Sequence, residues 1–238
     1  MRTLLRFFFY LLYHPFAFTY DLVAATVSLG RWKDWVSSVI PFIEGTRILE
    51  IGHGPGHLQR ILLSRDLLAV GIDESAPMGR LAKRNLTHFP NPKIDSSEPH
   101  DHPHPAYAQA SLTRGVAQHL PFPGNSFDTV VATFPTEYIF QSETLDEAHR
   151  VLAPGGRLVL LPGATILGRG ILDQVMRLIF RITGQSAPNL VEILRERTEK
   201  PFAEAGFHVQ IHQLELKSSL VFIIVATKNN SSLRARSR

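Results

Sequence analysis

The sequence predicts an α/β fold in three layers, α-β-α, around a seven-stranded, mostly parallel sheet with an antiparallel strand near the C-terminus. Three observations carry this. Short apolar runs alternate with stretches of helical period from residue 47 onward, the pattern of strands joined by right-handed helical crossovers. The first run, Arg47–Ile51, enters a turn with glycine at every second position, Gly52, Gly54 and Gly56, and a helical pattern follows, as in Rossmann-like domains. Two further runs, His208–Leu216 and Leu220–Thr227, are separated only by 217–219. That link is too short for a parallel crossover, so one member of the pair runs antiparallel.

The elements follow in order. Tyr20–Ile43 reads as helix through Leu22, Val23, Val27, Trp32, Trp35, Val36 and Val39, broken in two at Ser28-Leu29-Gly30. Pro41 and Gly45 punctuate the approach to the first strand. Leu67–Ile72 is a second strand ending at Asp73, and Ala76–Leu86 is the next helix. Pro90–Pro105, with five prolines and no apolar period, reads as a flexible loop. Ala108–Arg114 and Thr129–Phe134 are the third and fourth strands. Leu145–Leu152 is a helix stopped by Pro154-Gly155-Gly156, and Arg157–Leu161 is the fifth strand. Ile166–Thr183 and Leu190–Ala205 are helical, the second ended by Gly206. The organisation read from this is a helical lid segment over 1–45 and a main domain over 46–227. That domain carries a flexible insertion at 91–106 and a helical one at 164–189, and a basic disordered tail follows at 228–238.

Composition narrows the function classes. The chain has 238 residues and no cysteine, which excludes disulfides and thiolate metal sites. Its net charge of +4 resides in the tail, where Lys228, Arg234, Arg236 and Arg238 meet no acid. Residues 1–227 are therefore balanced, and no nucleic-acid partner is expected. His100, His102 and His104 alternate in a loop without a fixed scaffold, so no metal site is expected either. Leu4–Leu12, with Phe7-Phe8-Phe9-Tyr10 and the interruption at Arg6, is too short to span a bilayer, which takes roughly 20 apolar residues. It also lacks a signal-peptide cleavage pattern. It reads either as a lid on the domain or as an aromatic anchor in the membrane interface. The protein is expected to be cytoplasmic, with peripheral membrane contact in the anchor reading.

The glycine turn is the chemical centre. Glycine lets a ligand approach the backbone, and the helix starting near Gly56 offers free N–H groups. Asp73, at the carboxyl end of the next strand, can accept two hydrogen bonds from a ribose diol. A dinucleotide site wants G-x-G-x-x-G/A, yet His57 holds the third place, and Glu50 at the strand end would repel a pyrophosphate. A ligand with a cationic amino-acid end suits Glu50 better. Glu50-Ile51-Gly52-His53-Gly54-Pro55-Gly56 resembles motif I, E/D-x-G-x-G-x-G, of the class I S-adenosylmethionine-dependent methyltransferases. Gly115-Val116-Ala117-Gln118-His119-Leu120-Pro121-Phe122-Pro123 with Ser126-Phe127-Asp128 is similar to their G-D-A-x-x-L-P-F-x-x-x-S-F-D block. Arg150-Val151-Leu152-Ala153-Pro154-Gly155-Gly156 is similar to their R-V-L-K-P-G-G block. Tyr20-Asp21-Leu22, Ser28-Leu29-Gly30 and Trp32-Lys33 resemble the N-terminal helices of the ubiquinone/menaquinone C-methyltransferases.

The resemblance covers roughly residues 20–161 and implies S-adenosyl-L-methionine as cofactor. It implies that Glu50 faces the ammonium end and that Gly52, His53, Gly54 and Gly56 supply backbone contact. Asp73 would hold the ribose with Glu74 beside it. Met78 would lie against the adenine, with Val116, Ala117 and Gln118 bordering the base from the other side, and Thr133 and Phe134 would sit near the sulfonium. Val116 stands where the family commonly has an aspartate, which shifts adenine recognition toward the backbone of Ala117. No catalytic residue is assigned. His119, Glu137, Tyr138 and Tyr20 are candidate bases by position. Phe134-Pro135-Thr136-Glu137 lacks the N/D-P-P-Y/F pattern of the nucleic-acid and protein methyltransferases, so a small, lipophilic or quinone-like acceptor is expected. A nicotinamide oxidoreductase and a non-catalytic cofactor-binding scaffold are the alternatives.

Overall fold

The structure, a computed structural model, describes residues 28–65, 67–87, 111–168 and 190–229. Its seven strands are β1 (Arg47–Ile51), β2 (Leu68–Asp73), β3 (Ser111–Arg114), β4 (Phe127–Thr133), β5 (Leu152–Ile166), β6 (Phe207–Leu216) and β7 (Ser219–Lys228). They form one sheet in the order β3-β2-β1-β4-β5-β7-β6. The first five run parallel. β7 is antiparallel to both β5 and β6, as the short link between the last two strands requires.

Both faces of the sheet are covered, and the residue pattern of the strands shows it. On β1, Ile48 joins one apolar cluster while Leu49 and Ile51 join the other. On β7, Val221, Ile223 and Val225 face one side and Phe222, Ile224 and Ala226 the other. Strands buried on two faces need apolar, mostly β-branched residues throughout rather than alternation with polar ones. One face is covered by α1 (Trp32–Ser37), the 3₁₀ turn Ile40–Phe42 and α2 (His57–Leu63), through Trp35, Val36, Val39, Leu58 and Leu62. The other is covered by α4 (Ser142–Val151) and α5 (Leu190–Glu204), through Leu145, Ala148, Val151, Leu194 and Phe202. α3 (Ala76–Thr87) packs along β2 and β3.

Several boundaries differ from the sequence reading, each for a physical reason. Ser28-Leu29-Gly30 does break the chain, with Leu29 and Gly30 both at positive φ. Trp35, Val36 and Val39, in and just after α1, are buried in the same apolar cluster as Ile48 of β1 and Leu58 and Leu62 of α2, so this part of the expected 1–45 segment packs on the sheet. β4 begins two residues early, at Phe127, because the Phe127 ring fills the core beneath Phe122. It ends at Thr133, because Phe134 turns to φ +51°. Pro154-Gly155-Gly156 is not a linker between helix and strand. Leu152 already pairs with Phe127, and the register shifts before Arg157 pairs with Thr129, so the segment bulges within β5. There a side chain at Gly156 would lie 2.8 Å from the Asp128 carbonyl oxygen.

β5 also runs on to Ile166, so residues 164–166 are strand and not the start of a helical insertion. The remainder of the expected Ile166–Thr183 helix, the loop at 90–105 and the segments 1–27 and 230–238 lie outside the described residues. Lys228 is no part of a tail. It ends β7, and its Nζ donates to the carbonyls of His149 and Leu152 at 2.8 and 2.6 Å and to Asn125 Oδ1 at 3.2 Å.

Candidate cofactor site and its relatives

β1 and β4 lie side by side at the centre of the sheet, and the chain leaves them toward opposite edges. Their carboxyl ends mark the switch point where α/β sheets bind ligands. The turn after β1 sits there. Gly52, Gly54 and Gly56 have φ of +72°, +50° and +85°, which explains the glycine at every second position. The turn is fixed from several sides. Gly52 N donates to the Ile72 carbonyl at 2.7 Å, Gly54 N to Asp73 Oδ2 at 2.9 Å and Gly56 N to the His53 carbonyl at 2.9 Å. Asn85 Nδ2, from α3, donates to the Pro55 carbonyl at 3.0 Å.

Asp73 is half-buried at the end of β2. One carboxylate oxygen accepts from Gly54 N and the other from Ser75 N at 2.8 Å. Each oxygen keeps a second lone-pair direction for an incoming hydroxyl. Gly115 N donates to the Asp73 carbonyl at 3.1 Å, which brings the Val116–Gln118 segment alongside. Val116 is exposed there, Ala117 is buried and Gln118 Nε2 donates to Gln141 Oε1 at 2.8 Å. The Glu74 side chain is exposed, and its carbonyl accepts from Arg114 Nε at 3.0 Å.

His53 is buried and its Nδ1 donates to the Gly54 carbonyl at 2.8 Å, while burial lowers its pKa. Its ring fills the space that Gly71 leaves empty, since a Cβ at Gly71 would lie 3.0 Å from His53 Cδ2. Glu50, beneath the turn, is almost fully buried and accepts from Gln59 Nε2 of α2 at 2.8 Å. Loss of water pushes its pKa up to about 8, against the opposing effect of the Gln59 hydrogen bond and with a smaller push from Asp73.

Met78 departs from expectation. It is fully buried, a core side chain of α3 with no surface toward an adenine. Thr133 ends β4. The Phe134 ring stacks on Trp32, with centroids 4.4 Å apart and planes 23° apart, and lies 6.1 Å from Trp35. Of the candidate bases, Tyr138 reaches the glycine turn: a Cβ on Gly52 would lie 2.7 Å from its Oη. His119 and Glu137 are exposed, and Tyr20 lies outside the described residues. Sequence reasoning passed over Gln59. Its signal was a glutamine beside Leu58 and three residues before Leu62, on the apolar stripe of the helix. The Trp32–Phe134 stack carried no signal, because it depends on the turn at Phe134.

A family profile described as methyltransferase domain matches residues 49–160, from β1 through the middle of β5. Residues 49–160 thus match a methyltransferase domain. The domain is 32% identical over 158 residues to the demethylmenaquinone methyltransferase of Lactiplantibacillus plantarum, a match covering 63% of this chain and 60% of that protein. It is 28% identical over 153 residues to the ubiquinone/menaquinone biosynthesis C-methyltransferase of Geotalea uraniireducens, covering 61% and 59%. The match thus spans about 60% of the length of these curated relatives. Among solved structures, the methyltransferase fold is shared with the magnesium protoporphyrin IX methyltransferase of Synechocystis PCC 6803 with bound S-adenosylmethionine. There the TM-score is 0.52 and the identity 16%, over 83% of this chain and 79% of that one.

The methyltransferase domain's residues fit its cofactor, S-adenosylmethionine. Above Gly54 a Cβ would meet nothing within 4 Å, so there is open space against the backbone. Asp73 would supply an acceptor for vicinal hydroxyls, and the buried acid Glu50, under the turn, would balance a cation.

Proposed function

We propose that the protein transfers a methyl group from S-adenosylmethionine to a small, apolar, quinone-like acceptor. The observation that supports this acceptor class best is the aromatic wall at the end of β4, where Phe134, held at φ +51°, stacks on Trp32 and leans on Trp35. A non-glycine residue at positive φ costs about 1–2 kcal/mol, a strain typical of sites where a side chain must be aimed. The half-buried Trp32 and Phe134 rings offer planar apolar surface close to the strand end. The names of the two relatives, which act on demethylmenaquinone and in ubiquinone/menaquinone biosynthesis, point the same way.

The cofactor supplies a methyl group already activated on a sulfonium. The chain's own residues then bind, align and exclude water. Asp73 holds the ribose hydroxyls and Glu74 flanks them. Glu50 neutralises the amino-acid end, with the backbone of Gly52, His53 and Gly54 beside it. Ala117, with Val116 and Gln118, borders the adenine. Tyr138, over Gly52, is the candidate to take a proton from an acceptor that must lose one.

The test is turnover. The protein is incubated with S-adenosylmethionine and a panel of demethylated prenylated quinols, a phosphorylated amine and an imidazole amine, and S-adenosylhomocysteine is measured. Product with quinols alone is expected, and Phe134→Ala should lower it at least tenfold. Product only with the amines would overturn the acceptor class. Binding of NADH rather than S-adenosylmethionine in calorimetry would overturn the reaction. Cofactor binding with no turnover on any acceptor would favour a scaffold.

A further inference from the structure

Beneath the glycine turn, Glu50 and Gln59 face each other, both buried. Glu50 is 1% exposed and Gln59 0% exposed. Gln59 Nε2 donates to Glu50 Oε2 at 2.8 Å and reaches the Val70 carbonyl at 3.4 Å. Gln59 Oε1 is buried and has no donor. A carboxylate is acceptor-only, so an ionised Glu50 leaves that amide oxygen unsatisfied. A protonated Glu50 has an O–H to give it. The orphaned oxygen therefore points to a neutral acid paired with an amide, and an orphan in such a place otherwise costs about 1–3 kcal/mol.

The surroundings agree. Gly71 and Val131 flank Glu50 in register on β2 and β4, and neither is charged. Packed on the same face are Trp35, Val36 and Val39, all apolar. The acids and bases nearby are Asp73, whose negative charge opposes ionisation of Glu50, and the buried His53, whose pKa burial lowers against the opposing effects of Asp73 and of its hydrogen bond to the Gly54 carbonyl. On α2, His57 and Arg60 are half-buried, and neither is among the groups that act on Glu50. Among the described residues, no cation is among the groups that shift Glu50.

We propose that Glu50 and Gln59 form a buried acid–amide pair that releases its proton when a cation binds above the turn, with Gln59 as the positioning residue that keeps the resulting carboxylate aimed upward. The inference rests on S-adenosylmethionine as the ligand of this turn. The balance is simple. The Glu50 O–H bond breaks, its proton leaves to buffer, and the negative charge left behind meets the ligand's ammonium. The amide N–H of Gln59 stays on the carboxylate in both states and limits where it can turn.

The experiment is calorimetry of S-adenosylmethionine binding in two buffers of different ionisation enthalpy, which counts protons released per ligand bound. At about pH 7 the wild-type protein should release close to one proton more than Glu50→Gln. That difference should vanish well above pH 8, where Glu50 is already ionised. Gln59→Leu should keep the release, extend it to higher pH, and weaken binding at least tenfold. A role in packing alone would not move the pH range. An infrared difference spectrum of wild-type protein gives a readout free of variants, since the protonated carboxyl stretch should disappear on binding. Binding with no released proton and no lost carboxyl band would overturn the proposal while leaving the cofactor reading intact. Absence of binding by the wild-type protein would overturn both.

Discussion

Asp73 serves two masters at the residue scale. Its oxygens tie Gly54 N and Ser75 N together, and the same oxygens are the acceptors proposed for a ribose. Asp73→Ala should therefore weaken S-adenosylmethionine binding by about tenfold or more, each hydrogen bond to a charged group being worth roughly 1.5–3 kcal/mol. It should also lower the unfolding free energy by about 1–3 kcal/mol through the loosened turn. Calorimetry with chemical denaturation separates the two effects, and unchanged affinity in a folded variant would exclude Asp73 from the site. Gly54→Val makes the complementary case. Space is open there, so the sheet should fold, at a cost of about 1–3 kcal/mol for a β-branched residue at φ +50°. The new side chain would occupy the ligand's approach, and binding should fall below detection with circular dichroism unchanged.

The glycine turn and the acid beside it were legible as structure, because alternating glycines between a strand and a helix mark a tight turn and Asp73 ends the next strand. Met78 was not. An apolar residue on a helix next to a site reads the same whether it faces a ligand or the core, and only packing decides. Gln59 was hidden for the opposite reason, since one glutamine on an apolar stripe gives no hint of the partner it will meet nine residues away.

Among the elements, the junction of β1 and β4 is pinned by Arg47 and Asp128. Asp128 accepts from Thr46 N and Arg47 N at 3.1 and 3.0 Å and forms an ion pair with the Arg47 guanidinium at 2.5 Å. The Arg47 hydrogen bond, helped by the two amides, pushes the Asp128 pKa down to about 2. An unfolded aspartate titrates near 3.9. The stabilisation is thus complete above about pH 4 and is lost as pH falls toward 2. Asp128→Asn should lower stability by about 1–2 kcal/mol at neutral pH. Thermal unfolding of the two proteins should converge as pH drops through that window. A constant gap across it would mean that the amides, and not the charge, carry the effect.

Elements were legible to the extent that local pattern set their limits. β1, β2, α3 and α5 lie within a few residues of the sequence reading, since apolar period, Asp73 and Gly206 mark their ends. β5 was not. Proline and two glycines argue for a break, yet partner strands on both sides supply enough pairing to carry the segment as a bulge. Non-local hydrogen bonds of that kind leave no trace in a window of neighbouring residues.

For the whole molecule, the proposed apolar acceptor needs a route to the site. Among the described residues no helix is long and apolar enough to cross a membrane. The aromatic run Phe7-Phe8-Phe9-Tyr10 remains the segment proposed to serve acceptor access, as a lid or as an interfacial anchor. Deleting residues 1–19 should leave S-adenosylmethionine affinity unchanged within about threefold and cut turnover on apolar acceptors at least tenfold. Flotation with anionic liposomes distinguishes the two versions, because only an anchor loses membrane association on deletion. Loss of cofactor affinity would instead assign the segment to the cofactor site.

The placement of β7 has a consequence for synthesis. In chain order it follows every other strand of the sheet, yet in space it lies between β5 and β6. While a ribosome has delivered only residues up to 216, β5 has an open edge and β6 has no neighbour to pair with. The nascent chain therefore waits with an unsatisfied, strongly apolar edge until Ser219–Lys228 emerges and slides into the gap, when the Lys228 ammonium locks onto the carbonyls of His149 and Leu152. Translational pausing late in the message, or a stop codon a few residues before Lys228, would then produce aggregates or a chaperone-bound chain in place of a slightly weakened enzyme.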